Sequence, residues 1–226
     1  MSRISIIIPT INEANNLPLL LSDLSSIQKE SEIIIVDCGS EDKTIDIASI
    51  YGAKVCTSKE RNRGFQLDLG AKNSKGDWLI FLHADTRLTH DWFRKINSFL
   101  KVNKNSIYYF EFKINQKKII YRVLEILVNF RSKFFKQPYG DQGLIIHRTT
   151  YFKNNGFRKI PLMEDVDFLR RLNKKNLKQL NSPIFISSRK WERSNIFLQA
   201  IKNWQFRRRW LKGESIKSIY SDYYKK

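Results

Sequence analysis

Ile4-Ser5-Ile6-Ile7-Ile8-Pro9-Thr10-Ile11-Asn12-Glu13 and Glu32-Ile33-Ile34-Ile35-Val36-Asp37-Cys38-Gly39-Ser40-Glu41-Asp42 are the two stretches that decide the fold. Each is a short β-branched run that breaks into polar residues at its C-terminal end. That is the pattern of a strand buried on both faces, handing its last residues to a sheet edge. Between them Leu17, Leu20, Leu21 and Leu24 recur at helical spacing, behind a candidate N-cap at Asn12. The alternation continues with a helix over 42–51 closed by Gly52, a strand at 53–56, a helix over 63–74 and a strand at 77–82. Strands separated by single helices form βαβ units, so the expectation is an α/β fold with a Rossmann-like, mainly parallel sheet flanked by helices. Right-handed crossovers then place every strand's C-terminal end on one edge, where ligands of such sheets bind.

The second half changes character. Residues 106–114 alternate like a half-exposed strand, 118–135 form a long apolar-basic helix candidate, and 143–147 form another strand. Helices near 164–175 and 196–212 finish the reading, the latter a basic C-terminal extension. No internal repeat, low-complexity linker or Pro/Gly-rich hinge divides the chain.

Composition narrows the classes. With 226 residues, 42 % hydrophobic and 13 % aromatic, the chain can build a core of one domain's size, which excludes wholesale disorder. Two cysteines, Cys38 and Cys56, exclude a disulfide scaffold and a cysteine-based zinc site. The opening residues lack the apolar region of a secretory leader, and no long uncharged apolar stretch occurs. The expectation is a cytoplasmic chain, with peripheral attachment to the inner face of the membrane as a further expectation. The net charge of +19 is graded: residues 1–50 carry −5 and residues 151–226 carry +13. Three readings compete for that basic end: an anionic membrane surface, a solvated face, and nucleic acid, which no recognisable motif supports.

Three polar clusters stand at successive strand ends: 9–13, 37–42 and His83-Ala84-Asp85-Thr86. In a parallel sheet they converge. Asp37 suits a base N–H or a ribose hydroxyl, or else it caps the following helix together with Asp42. Asp85, with His83 two residues earlier, suits a hard divalent cation bridging phosphates. Arg61, Arg63 and Gly64 lie between the third strand and the body of the next helix, well placed to hold phosphates, unless the arginines are solvated loop charges. Glu164 and Asp165, taken alone, suit the N-terminal dipole of their helix. No G-x-G-x-x-G, P-loop or G-x-S-x-G motif is present, which argues against dinucleotide oxidoreduction, P-loop phosphoryl transfer and serine hydrolysis. His90 and His147 have no metal-ligand partner at useful spacing.

The runs Ile6–Glu13 and Val36–Thr44, with Phe81-Leu82-His83-Ala84-Asp85-Thr86, resemble the opening and the D-x-D region of inverting family 2 glycosyltransferases of GT-A fold. Arg61-Asn62-Arg63-Gly64-Phe65-Gln66, Pro138–Gly143, Pro161–Val166 and Ser188–Arg193 continue the likeness in order. The resemblance implies a glycosyltransferase domain over 1–193, with a nucleotide-binding half over about 1–100 and an acceptor half over 101–193, followed by amphipathic helices over 194–226. It implies that Pro9, Thr10, Asn12, Glu13, Asp37, Ser40, Arg61, Gln66, Ala84 and Asp85 surround a nucleoside-diphosphate sugar. Asp85 with His83 would hold Mn2+ or Mg2+. Asp165, beside Glu164, would be the general base, and Asp141, Gln142, Arg189 and Trp191 would face a hydroxyl acceptor. His83 departs from the family pattern, because it replaces the first carboxylate of D-x-D. The alternatives are a sugar-nucleotide nucleotidyltransferase, whose Gly-rich basic loop is missing from 9–13, and a non-catalytic nucleotide-sugar or RNA-binding module. The mixture of aromatic and basic residues in 118–135 and 196–212 suits a membrane interface and an apolar acceptor, or a core-packing face with a basic back.

Overall fold

Period-two alternation in the first strands sends their side chains to two separate cores. In β1 (Ile4–Thr10), Ile4, Ile6 and Ile8 join one apolar cluster while Ile7 joins the other. In β2 (Ser31–Asp37), Ile33 and Ile35 take the first side, and Ile34 and Val36 the second. Both sides are buried, which is why these strands read as continuous apolar runs. The computed structural model describes residues 4–100, 104–187 and 196–224.

The remaining strands are β3 (Lys54–Thr57), β4 (Trp78–Phe81), β5 (Thr86–Leu88), β6 (Ile107–Ile114), β7 (Leu144–His147) and β8 (Leu177–Ile186). Among the described residues they form one sheet in the order β3-β2-β1-β4-β7-β6-β8-β5. The β3-β2-β1-β4 half is wholly parallel, as its βαβ units require. Beyond β4 the sheet is mixed, because β7 runs antiparallel to both β4 and β6, while β8 is parallel to β6 and antiparallel to β5. One face is covered by α1 (Leu17–Leu24), α2 (Thr44–Ile50), α4 (Trp92–Leu100) and α5 (Ile119–Phe134). The other is covered by α3 (Arg63–Lys72), α6 (Arg148–Lys153) and α7 (Glu164–Arg171).

Several expectations need correction. Asn16, not Asn12, occupies the N-cap of α1, and Asn12 instead has a left-handed backbone (φ 53°) in the loop before it. The helix expected over 164–175 ends at Arg171. β5, α6 and β8 were not anticipated. β8 carries Pro183 where its register against β6 shifts, the kind of irregular position at which a sheet accepts proline.

The C-terminal pair, α8 (Ile196–Leu211) and α9 (Ile216–Tyr224), folds back on the sheet domain. Ile219 of α9 is fully buried, and Arg209 of α8 bonds Asp222 of α9 at 2.7 Å and pairs with Glu214 in the turn between them. Arg170 stacks on Trp210 with 5.4 Å between guanidinium and ring centre, and Arg207 stacks on Tyr139 at 4.3 Å.

Candidate active site

The C-terminal ends of β1 and β2 are locked together by side chains. Thr10 and Asp37 are register neighbours, and Thr10 Oγ1 donates to Asp37 Oδ2 at 2.9 Å. Ser40 donates to the same carboxylate from its amide (2.8 Å) and its hydroxyl (2.5 Å). Asn12 N donates to Ser40 Oγ, and Asn12 Oδ1 accepts from Glu41 N. Glu13 N donates to Thr44 Oγ1, and Ala14 N to Asp42 Oδ2. Asp42 also accepts from Thr44 N, the first residue of α2, although Lys43 and not Asp42 occupies the N-cap.

This interlock rigidifies the floor of a cleft of about 720 Å³. Pro9, Thr10 and Glu13 from the β1 end, Arg61 and Gln66 around the start of α3, and His83, Ala84 and Asp85 after β4 all line it. Gln66 is buried, and its amide nitrogen donates to the carbonyls of Val36 (2.8 Å) and Thr10 (3.2 Å), which fixes α3 against both strand ends. Asn62 caps α3 by accepting from Phe65 N, so Arg61 and Arg63 stand at a helix N-terminus beside the cleft. Asn12, Asp37 and Ser40 are not in that wall. Asp37 is fully buried behind Thr10, so its visible work is holding the loops in place.

α7 supplies the opposite side. Its first turn carries Glu164, Asp165 and Asp167, where carboxylates suit the helix dipole. Asp165 Oδ2 accepts from Gly140 N at 2.9 Å and Oδ1 from Val166 N at 2.8 Å. A carboxylate oxygen has two acceptor sites, so each oxygen keeps one for an incoming hydroxyl. A Cβ on Gly140 would lie 3.1 Å from His83 Nε2 and 3.6 Å from Asp165 Oδ2, so glycine lets these side chains crowd one point. Glu164 is buried and ion-paired with Arg63. Burial pushes the Glu164 carboxyl above its ordinary value against the pull of Arg63, and the neighbouring Asp165 adds to the rise. Burial works against the Arg63 charge, but Glu164, Asp165 and Asp141 outweigh it and raise the guanidinium's pKa.

Of Asp37, Asp85 and Asp165, Asp85 lines the cleft, and Asp165 lines an adjoining pocket that shares His83, Arg63 and Glu164 with it. Asp37 sits one side chain behind. Gln142 is fully buried, its amide engaged by Ser132 Oγ and the Phe110 carbonyl, and so faces the core rather than an acceptor. Asp141 contributes to the field around Arg63 and Arg131. Arg189 and Trp191 lie outside the described residues. Sequence reasoning missed Pro161, Leu162, Tyr220 and Tyr223, all on the cleft wall. The tyrosines come from α9, which no strand-end pattern points to.

Asp85 and His83 share one wall, and among the described residues no group of three or more His, Cys, Asp or Glu side chains forms a metal cage. A magnesium-type ion on a diphosphate needs only one or two protein ligands, with phosphate and water completing the shell. This donor pair therefore fits an ion that arrives with a nucleotide.

The chain matches the family model for glycosyl transferase family 2 over residues 5–180, and it belongs to that family. Its mixed α/β architecture is the GT-A fold of that family. The chain is 38 % identical over 120 residues to an uncharacterized glycosyltransferase of Rickettsia typhi, covering 51 % of this chain and 38 % of that protein. It is 39 % identical over 95 residues to the 4,4'-diaponeurosporenoate glycosyltransferase of Staphylococcus haemolyticus, covering 39 % of this chain and 25 % of that one. The matched segments thus span well under half the length of these relatives. The fold is similar to S. aureus TarS in complex with UDP-GlcNAc (TM-score 0.67, 18 % identity, 83 % of this chain and 59 % of that one). It is also similar to glucosyl-3-phosphoglycerate synthase from Mycobacterium tuberculosis with Mn2+, UDP and glucosyl-3-phosphoglycerate (TM-score 0.59, 17 % identity, 82 % and 70 %).

Proposed function

We propose that the chain transfers a sugar, with inversion, from a nucleoside-diphosphate sugar in the cleft to an acceptor hydroxyl that Asp165 deprotonates. The observation that carries this reading is the fixed Asp165 carboxylate beside a cleft edged by Asp85, His83 and Arg61. The hydroxyl must lose its proton as it attacks, and its unassisted acidity is far too low near neutrality, so a positioned base is required. Two backbone amides hold Asp165 in a single orientation for that task. The leaving diphosphate gathers negative charge on the opposite side of the anomeric carbon. Arg61, on the cleft wall beside the start of α3, would meet it, while Arg63 stays paired with Glu164. Asp85, with His83, would hold a divalent ion there, which when bound neutralises that charge without a proton transfer. The relatives' complexes with UDP, a UDP-sugar and Mn2+ support this donor class.

Asp165→Asn keeps the side chain's shape and one of the two amide contacts, since its NH2 can no longer accept in place of the other oxygen, and it removes the base. Transfer is expected to fall about 100- to 10,000-fold, while donor binding, followed by thermal shift with UDP- and GDP-sugars, is kept. Full turnover in this variant would remove Asp165 from the mechanism.

A further inference from the structure

The long helix α5 presents its apolar side chains to solvent. Tyr121, Leu124, Val128 and Ser132 face inward and are buried. Ile119, Val123, Ile126, Leu127, Phe130 and Phe134 face outward, with 43–82 % of each exposed. At 100° per residue they fill a continuous arc of about 100° along the whole helix, where a surface helix ordinarily carries polar groups. Side chains of this size at these exposures make an apolar patch on the order of 700 Å², above the ~300–600 Å² of the largest patch on a typical monomer.

Charge identifies the occupant. The one acidic residue of α5, Glu125, is turned inward, where it accepts from Ile114 N at 2.7 Å and pairs with Arg122 at 2.9 Å. Lys117, Lys118 and Lys133 border the patch and are exposed. An apolar stripe with basic margins and no outward carboxylate on its own helix complements a layer of anionic headgroups over acyl chains. A second copy of the chain would instead bring two basic margins together. No helix among the described residues is long and apolar enough to cross a membrane, so α5 would lie in the interface plane over a length of about 24 Å.

We infer that α5 is a docking face for an anionic lipid bilayer. It also lies near the candidate site. Arg131 of α5 stacks on Tyr139 with 4.0 Å between guanidinium and ring centre, and the next residue, Gly140, holds Asp165. A hydroxyl acceptor dissolved in that bilayer would reach the cleft from this side. This last consequence rests on the transferase reading, but docking itself is measured without turnover, so the two fail separately.

The test is flotation of the full chain with vesicles of phosphatidylcholine alone or with phosphatidylglycerol. Wild type is expected to float with the acidic vesicles. Ile126→Glu/Phe130→Glu, both at outward positions, should lower the bound fraction at least tenfold with an unchanged melting temperature. Wild type that stays unbound, or a double variant that floats like wild type, overturns the inference. So does a lipid-free dimer in sedimentation velocity that the same substitutions dissociate, because the face would then belong to a second copy.

Discussion

Gly140 carries more of the site than its missing side chain suggests. Its amide orients Asp165, and its bare Cα leaves room for His83 and Asp165 to approach from two sides. Gly140→Ala adds a methyl group 3.1 Å from His83 Nε2, tighter than ordinary contact, so His83 must give way in the space it shares with Asp165. The expected outcome is a fall in kcat of about ten- to a hundredfold, since sub-ångström misplacement of a catalytic group is that costly. Donor KM should rise less than kcat falls, because Gly140 itself is not on the wall of the larger cleft, although the displaced His83 is. A steady-state comparison of kcat with donor KM checks it. At this level the sequence was only partly legible. Residue types at strand ends identified the cleft wall well, because parallel topology leaves those residues nowhere else to go. They could not separate Thr10, which faces the cleft, from Asp37 one strand over, because burial is decided by hydrogen bonds between loops far apart in the chain.

α9 is the element whose part in the site was least visible in advance. Its sequence, with three tyrosines in nine residues, reads only as part of a basic amphipathic C-terminal extension, yet Ile219 anchors it and Tyr220 and Tyr223 reach the larger cleft. Ile219→Asp puts a carboxylate into that buried position and is expected to undock α9, since an unpaired buried charge is strongly disfavoured. Donor affinity should then weaken severalfold while the sheet domain keeps its far-ultraviolet spectrum. Calorimetric titration with a nucleoside diphosphate checks this, and unchanged affinity would remove the tyrosines from the donor site. Elsewhere, elements with a dominant local signal were readable. Leu17, Leu20, Leu21 and Leu24 do form the buried stripe of α1, and Gly52 does close α2 with a positive φ of 69°. β8 was not readable. Its half-buried alternation is interrupted by Pro183, and only its pairing with β6 and β5 makes it a strand. α5 was legible as a helix but not in its orientation, because its buried and exposed faces are both largely apolar.

Across the whole molecule, the Arg63–Glu164 pair joins the parallel half of the sheet to the mixed half, linking residues 101 positions apart. Lys159 and Glu60 add a second bridge at 2.6 Å on the exposed side. The cleft lies across this seam, so the pair holds the wall formed by the start of α3 against α7 and Asp165. Arg63→Ala leaves Glu164 buried without its counter-charge. The expected loss is about 2 kcal/mol at neutral pH, below the ~3–5 kcal/mol of a fully buried pair because 44 % of the Arg63 side chain is exposed and screened by water. The pH dependence follows from the direction of the Glu164 shift. Burial already raises its pKa above 4.5, and without Arg63 it rises further. A carboxyl whose pKa is raised on folding binds its proton more tightly in the native state. Its favourable contribution is complete below the unfolded value and disappears as pH climbs through the folded one. Arg63→Ala should therefore melt at progressively lower temperature from pH 5 to pH 8, by more than wild type does. Arg63→Ala/Glu164→Gln, which has no charge left to bury, should lose that excess slope. Parallel slopes for the single and double variants in calorimetric melts would show that Glu164 does not bear the strain across the seam.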